Sequence, residues 1–183
     1  TSWLAVPKEE MKRYREEKER EARTTRMRSL ARRYAGEVLA GRSRSRGAIR
    51  LRAQLADVCK QMNWQVSAVI NEFLANAQYE CARRLSSEIV AGRDHGRAAR
   101  ILRRRLTMLS RACGGDGGEF LRWSLAGPLE DLAYRLAMES HSTRSRPRSL
   151  SELRRRIDRI ARHSGRPSQE WIKNGEYTWL STE

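Results

Sequence analysis

The chain has 183 residues, of which 33% are charged and 39% hydrophobic, and its formal net charge at pH 7 is +16. A positive excess of this size attracts polyanions and opposes compaction, so it indicates a nucleic-acid partner rather than a small-molecule substrate. No apolar run approaches the roughly 18 residues that a membrane-spanning helix needs, and we therefore expect no membrane span.

The amino-terminal part, residues 1–28, is predicted to be a short apolar hook followed by a long charged helix. Trp3, Leu4 and Val6 form the hook, and Pro7 is placed to open the helix, as a first-turn proline does. Residues 8–28 have almost no apolar stripe but have Glu and Arg at spacings of four residues, which stabilise a solvated helix. We expect this helix either to be free in solvent or to reach across an RNA or a neighbouring subunit.

The rest of the chain is predicted to be a triple tandem repeat with a period of 51 residues. The three copies span residues 29–79, 80–130 and 131–183 and align without a gap. An array of this size buries a continuous core by stacking neighbouring copies. Seven columns are identical in all three copies, and in the first copy they are Ala31, Arg33, Glu37, Arg42, Arg46, Leu51 and Arg52.

Each copy is predicted to consist of a helix, a basic loop and a hairpin of two helices, which makes the fold all-α. The second helix of the first copy, residues 48–62, has apolar residues at intervals of four, three and four, which is a single apolar stripe. The turn after it is expected to need a left-handed backbone conformation, because its residue is Asn63, Gly114 or Gly165 in the three copies. The third copy departs from the pattern after Ile172, where Gly175 and polar residues stand in place of an apolar helix.

The five tryptophans and five tyrosines offer rings on which bases could stack, but the tryptophans of the hairpins are expected to belong to the core. Trp64, Trp123 and Trp171 all lie in the predicted turns or helices, where large aromatic side chains are usually buried. Near the carboxyl end, Trp179 and Leu180 either fold back as a cap or form a docking tail for a partner.

Two of the predicted hairpins resemble the DNA-binding helix-turn-helix motif. In residues 55–73, Cys59, Asn63 and Val69 stand where that family has a small residue, a turn glycine and a packing valine. Residues 157–172 resemble it as well, and their last eight residues are similar to the second helix of ribbon-helix-helix proteins. The resemblance implies tandem units that bind duplex DNA. A purely structural hairpin is the alternative that we favour, because the helix after the second turn has few polar groups for base edges.

The arginines that recur from copy to copy are the predicted nucleic-acid-binding residues. They lie in or beside the loop between the first two helices of each copy, so stacked copies would form three basic clusters that follow a phosphate backbone. Alternatively, the same arginines pair with Glu37, Glu88 and Glu139. Arginine supplies 33 of the 38 basic residues, which suits phosphate and base contacts, although a GC-rich genome also favours arginine. The predicted set is Arg33, Arg42, Arg44, Arg46, Arg52, Arg84, Arg93, Arg97, Arg103, Arg135, Arg144, Arg146, Arg148 and Arg154.

No catalytic, metal or cofactor site is predicted, so we do not expect an enzyme. His95 lies in the second copy and His141 and His163 lie in the third, without ligand spacing to a cysteine or a carboxylate. The glycine-rich run at residues 113–118 lacks the Lys and Ser/Thr of a P-loop and is predicted to be a loose turn.

The cysteines argue against a secreted, disulfide-bonded fold. The chain has an odd number of cysteines and no CxxC pair; the three are Cys59, Cys81 and Cys113. We therefore expect a reducing intracellular compartment and favour the mitochondrial matrix. The chain starts at Thr1 rather than methionine, and we allow for an organelle presequence that has already been removed.

These features favour a non-catalytic, structural RNA-binding component of a large ribonucleoprotein, such as a bacterial-type or mitochondrial ribosome. The charge is spread over three copies and an extended arm, which is typical of backbone and shape recognition of RNA. The amino-terminal helix and the carboxyl-terminal tail are expected to contact neighbouring protein subunits. The first alternative is a DNA-binding regulator or plasmid-processing accessory factor with tandem helix-turn-helix or ribbon-helix-helix-like units. The second is a structural or assembly subunit of a multiprotein complex.

Overall fold

The computed structural model describes residues 8–142 and 146–182 of the chain. The predicted apolar hook and the predicted binding residue Arg144 lie outside the described residues. Within them the fold is all-α, as the sequence predicts, with seven helices and no strand. In chain order these are α1 (Lys8–Leu39), α2 (Arg46–Gln61), α3 (Val66–Val90), α4 (Arg97–Cys113), α5 (Gly117–Ser140), α6 (Pro147–Ser164) and α7 (Ser168–Leu180).

The helix boundaries recur at the spacing found in the sequence. Helices α3, α5 and α7 begin 51 residues apart. Each follows a turn residue with positive φ, at Asn63 (55°), Gly114 (71°) and Gly165 (73°). The left-handed turn conformation is thus confirmed, and it favours glycine because a Cβ atom is strained there. The regular stacking of three copies remains a prediction.

Two segments are helical beyond their predicted limits. The charged extension and the first helix of the first copy form one continuous helix, α1, because no proline stands between them to stop it. The segment after Ile172, expected not to be an apolar helix, continues α7 as far as Leu180. Gly175 is tolerated inside α7 because it is buried against a neighbouring helix.

The chain divides into two compact units, Thr1–Ala75 and Asn76–Glu183, and the boundary falls inside α3. In the first unit α1 packs against α2. The buried side chains include Leu30 and Val38 of α1, Leu55 and Val58 of α2, and Ile70 of α3. By contrast, every side chain of residues 8–26 is exposed except one half-buried threonine. The first half of α1 therefore buries no side chain.

In the second unit α5 is the central helix, and both α6 and α7 pack against it. Burial of each large aliphatic side chain in this core contributes about 1.5–3 kcal/mol. The most deeply buried apolar side chains are Leu85, Ile89, Leu109, Leu125, Leu129, Ile157 and Ile160.

Helix α7 comes very close to α5 at Gly175. A Cβ atom built on Gly175 would lie 2.6 Å from the backbone carbonyl oxygen of Ala133 and 2.8 Å from its Cβ atom. Only a residue without a side chain allows this approach, so Gly175 sets the distance between the two helices.

A buried polar network joins the second half of α3 to α4 and to the start of α5. The fully buried Gln78 donates from Nε2 to Ser110 Oγ at 2.9 Å. The backbone N–H of Gly117 donates to the same oxygen, also at 2.9 Å. Cys113 Sγ completes the network with Gln78 Oε1 at 3.2 Å. Both ends of the buried amide are therefore satisfied by α4, as burial of a polar group requires.

Polar contacts also attach α6 to the end of α3 and to the loop that follows it. His163 Nε2 of α6 lies 3.3 Å from the Asp94 carboxylate, and the Arg159 guanidinium donates to the Val90 carbonyl at 3.3 Å. Burial raises the pKa of Asp94, but the hydrogen bond with His163 and the neighbouring His95 lower it by more. The pKa of this carboxyl therefore lies below its ordinary value, and Asp94 stabilises the fold at neutral pH through its charged form.

No helix in the described parts of the chain is long and apolar enough to cross a membrane.

Candidate nucleic-acid interface

Most of the predicted binding arginines lie at the surface with their charge uncompensated. Nine of them are exposed and form no ion pair with any described residue. Their guanidinium groups are available to a polyanion without first leaving a carboxylate. These nine are Arg33, Arg44, Arg46, Arg52, Arg97, Arg135, Arg146, Arg148 and Arg154.

Arg42 and Arg93 instead bind carboxylates of their own chain. Arg42 donates from Nε and Nη2 to the two oxygens of Glu37 at 3.0 and 2.9 Å. Arg93 contacts Glu88 in the same two-pronged way at 2.9 and 2.8 Å. These hydrogen bonds hold the pKa values of Glu37 and Glu88 below their ordinary range. For these two arginines the structure shows the alternative interpretation, in which the guanidinium group is paired with a glutamate of the same chain.

Two further members of the predicted set also have contacts within the chain. Arg84 binds Glu80 at 2.8 Å, and Glu80 also binds Arg83 at 3.0 Å. Hydrogen bonds from both arginines lower the pKa of Glu80 to about 2. Arg103 is half-buried and donates to the backbone carbonyl of Asp94. Arg84 and Arg103 therefore have a structural explanation that does not need a ligand.

The outer face of α4 carries basic side chains that the sequence analysis did not include. Arg104 and Arg111 follow Arg97 at intervals of seven residues, and all three are exposed. Seven residues are almost two turns of helix, so the three side chains lie within about 40° of one another around the helix axis. The buried residues of α4, Leu106 and Leu109 among them, lie on the opposite side. We call such a set of three outward positions, spaced by seven, a basic row.

Helices α6 and α2 have basic rows at the equivalent positions. From first to last position a row is about 21 Å long at 1.5 Å per residue, which is enough to contact several phosphates in succession. In α2 the middle position is Ala53 and the last is Lys60, so only the first position of the rows is identical in all three copies. The exposed basic members are Arg148, Arg155 and Arg162 in α6, and Arg46 and Lys60 in α2.

The helices after the turns do not present a typical DNA-reading surface. Cys59 and Val69 are buried, so the features that resemble a helix-turn-helix are packing features of the hairpin. Glu119 is in the first turn of α5, Glu170 is in the first turn of α7, and both side chains are exposed. Carboxylates at the start of a reading helix repel the phosphates that flank a groove.

The tryptophans differ from expectation in part. Trp171 is buried, as predicted, but Trp64 is 47% exposed and Trp123 is 76% exposed, so the prediction that they are core residues is wrong. Trp179 stacks on the His141 ring with a centroid distance of 4.3 Å, which is the fold-back arrangement rather than a free docking tail. Leu180 beside it stays exposed.

Comparison of the chain with protein-family models, with curated proteins and with solved structures finds no match.

Proposed function

We propose that this protein is a non-catalytic RNA-binding component of a large ribonucleoprotein, such as a bacterial-type or mitochondrial ribosome. The observation that carries the proposal is the set of basic rows on α2, α4 and α6. Eight of the nine row positions are arginine or lysine, and all eight are exposed. A positive row on a helix contacts phosphates without reading bases, which is how proteins bind structured RNA by its shape and backbone.

RNA is favoured over duplex DNA because the positive charge is spread over several helices and is not concentrated on a single recognition helix. The rows belong to the helices before the turns, whereas a helix-turn-helix protein reads DNA with the helix after the turn. Two of the three helices after the turns begin with an exposed glutamate instead. Basic rows on several helices suit an irregular RNA surface that meets the protein at several points.

A salt titration of RNA binding tests this proposal. We expect Arg104→Gln combined with Arg111→Gln to remove about two phosphate contacts from the row of α4. The slope of log affinity against log salt should then become shallower by about 1.5, because each phosphate contact accounts for roughly 0.7–0.9 of that slope. The measurement is fluorescence anisotropy with a labelled RNA hairpin between 50 and 300 mM KCl, beside a DNA duplex of matched length.

The matched control removes the same charge from arginines that are already paired. Arg23 binds Glu19 at 3.2 Å and Arg83 binds Glu80 at 3.0 Å, and both arginines are exposed. Arg23→Gln with Arg83→Gln should change the slope by much less than the row variant does. Equal changes of the salt slope in the two double variants would mean that only net charge matters. That result would contradict the proposal that the basic rows contact the RNA. Tighter binding of the DNA duplex with a sequence preference would replace the RNA proposal by the DNA-binding one.

The glutamates that hold Arg42 and Arg93 should act as internal competitors of phosphate. We expect Glu37→Gln with Glu88→Gln to free both arginines, to strengthen RNA binding and to steepen the salt slope by up to about 1.5. The same anisotropy titration measures this change. Glu72→Gln with Glu176→Gln is the control, because these two carboxylates lie on α3 and α7, outside the basic rows, and are exposed and in no ion pair with the described residues. An unchanged slope in Glu37→Gln with Glu88→Gln would show that Arg42 and Arg93 do not reach the RNA.

Neighbouring protein subunits are a further part of the proposal. The first half of α1 has charged residues on all sides and buries none of its side chains. A helix that is polar on all sides is typical of a segment that bridges to another body, and the body we propose here is a neighbouring subunit. The proposed location of such an assembly is the mitochondrial matrix.

A further inference from the structure

The second unit has a groove along α5 that the RNA-binding proposal does not use. Its two clefts, of about 600 and 560 Å³, are both lined by Glu130 and Trp171 and so lie side by side along α5. The turn between α6 and α7 borders the first cleft, and α7 borders the second. We call the two clefts together the α5 groove.

Large aromatic side chains lie exposed in both clefts. Trp123 is 76% exposed in the first cleft, and Tyr177 is 61% exposed in the second. Trp171, whose Nε1 donates to Ser164 Oγ at 3.3 Å, is the buried aromatic residue between them. Exposing aromatic area of this size is unfavourable in an isolated protein. Exposed Trp and Tyr side chains are typical of protein interfaces, where they supply rigid contact area.

The unpaired charge of the groove is mainly negative, although the chain as a whole is strongly positive. Three carboxylates line it, and none of them forms an ion pair with a described residue: Glu119, Glu130 and Asp131. Its cations are fewer: Arg122 is paired with a carboxylate, whereas Arg166 and the nearby Lys173 keep their charge and lie over aromatic rings. Arg122 binds Asp116 at 3.0 Å, and Arg166 lies over the Trp171 ring at 5.7 Å. A partner that enters this groove therefore meets uncompensated carboxylates.

The aromatic rings of the groove already accept cations from their own chain. The Arg166 guanidinium lies 5.7 Å from the centroid of Trp171, and Lys173 Nζ lies 5.8 Å from that of Tyr177. Both distances are within the range in which a cation is attracted to the face of an aromatic ring. The groove thus combines the two groups that bind a guanidinium, an aromatic face and a carboxylate.

We propose that the α5 groove binds an arginine-bearing peptide segment of a partner protein. Glu130 and Asp131 pair with the guanidinium groups of that segment, while Trp123 and Tyr177 cover the aliphatic stems of its side chains. RNA is disfavoured here because the carboxylates repel phosphate. The inference goes beyond the proposed RNA binding and does not depend on it, since it rests on a different surface with the opposite charge.

Titration of the full chain with a labelled peptide of five Arg-Ser repeats tests the groove. We expect Glu130→Gln with Asp131→Asn to weaken peptide binding by about tenfold, and Trp123→Ala to weaken it several-fold. At about 0.15 M salt the Debye length is near 8 Å, so the more distant arginines of the chain repel the peptide only weakly. The altered side chains are exposed, so unchanged thermal unfolding should show that the variants fold normally.

Glu152→Gln with Asp158→Asn supplies the control, because both carboxylates are exposed and lie on α6 outside the groove. Equal weakening in this variant, or no peptide binding by the unmodified chain, would overturn the inference. A separate test adds oligouridylate to the unmodified chain and follows tryptophan emission. Quenching that is lost in Trp123→Ala would make the groove a base-stacking site and would also overturn the peptide proposal. Failure of the peptide arm leaves the salt slope of RNA-hairpin binding unaffected, so the two proposals are tested separately.

Discussion

Replacing Gly175 with alanine is expected to destabilise the second unit by roughly 1–3 kcal/mol, the usual cost of forcing an extra group into a packed interior. The added Cβ atom would lie 2.6 Å from the Ala133 carbonyl oxygen, which is far inside van der Waals contact. The obstructing atoms belong to the backbone of α5, which cannot rotate away as a side chain can. Helix α7 must therefore move outward and lose part of its packing against α5, the helix to which it is attached.

The control for this experiment is the same substitution at Gly36, whose effect should have the opposite sign. Gly36 lies inside α1, is exposed, and would place its new Cβ atom in open space. Gly36→Ala should stabilise the protein by up to about 1 kcal/mol, because alanine is the better helix former. Urea unfolding followed by far-UV circular dichroism measures both changes. A gain in unfolding free energy for Gly175→Ala would show that α7 does not approach α5 as closely as the structure has it.

Helical periodicity was sufficient to identify the core of the amphipathic helices. The apolar stripes predicted for α2 and α6 do face the core, as the burial of Leu55, Val58, Ile157 and Ile160 shows. The reason is that a stripe with charged residues opposite has one orientation that buries it. The turn residues could be predicted equally well from the sequence, since a left-handed backbone favours Gly or Asn whatever surrounds it.

The orientation of α5 could not be predicted in this way. Its sequence has apolar residues on all sides, so no stripe indicates which face packs against α6 and α7. The structure buries Leu125 and Leu129 and leaves Trp123 in solvent. The choice depends on the shape of the neighbouring helices, which is a tertiary property. The exposed tryptophan of the α5 groove therefore became visible only in the structure.

The candidate site could be predicted only in part, for a similar reason. The sequence indicated which arginines recur, but the pairing of Arg42 with Glu37 depends on the side-chain geometry at the end of α1. The basic rows had a sequence signal, the spacing of seven residues on the face opposite the apolar stripe. That signal was missed because Ala53 and Lys60 interrupt the identity between copies.

Ser110 is expected to be a larger contributor to stability than a small, half-buried side chain ordinarily is. Ser110→Ala should destabilise the second unit by about 2–4 kcal/mol, because it removes the acceptor of two donors at once. One of these donors is Nε2 of Gln78, a side chain with no exposed surface, and the other is the buried backbone N–H of Gly117. A buried donor without a partner costs about 1–3 kcal/mol, and here two are left without one.

Ser87→Ala is the matched control, since this exposed serine donates only to the backbone carbonyl of Arg83 in its own helix. Its removal should change the unfolding free energy by less than about 0.5 kcal/mol. Gln78→Leu in the Ser110→Ala background should restore part of the lost stability, because an apolar side chain leaves no amide to satisfy. A double-mutant cycle from urea unfolding should then give a coupling of about 0.5–3 kcal/mol between Gln78 and Ser110. A loss in Ser110→Ala no larger than in Ser87→Ala would mean that water replaces the hydroxyl, and that the network does not hold α3, α4 and α5 together.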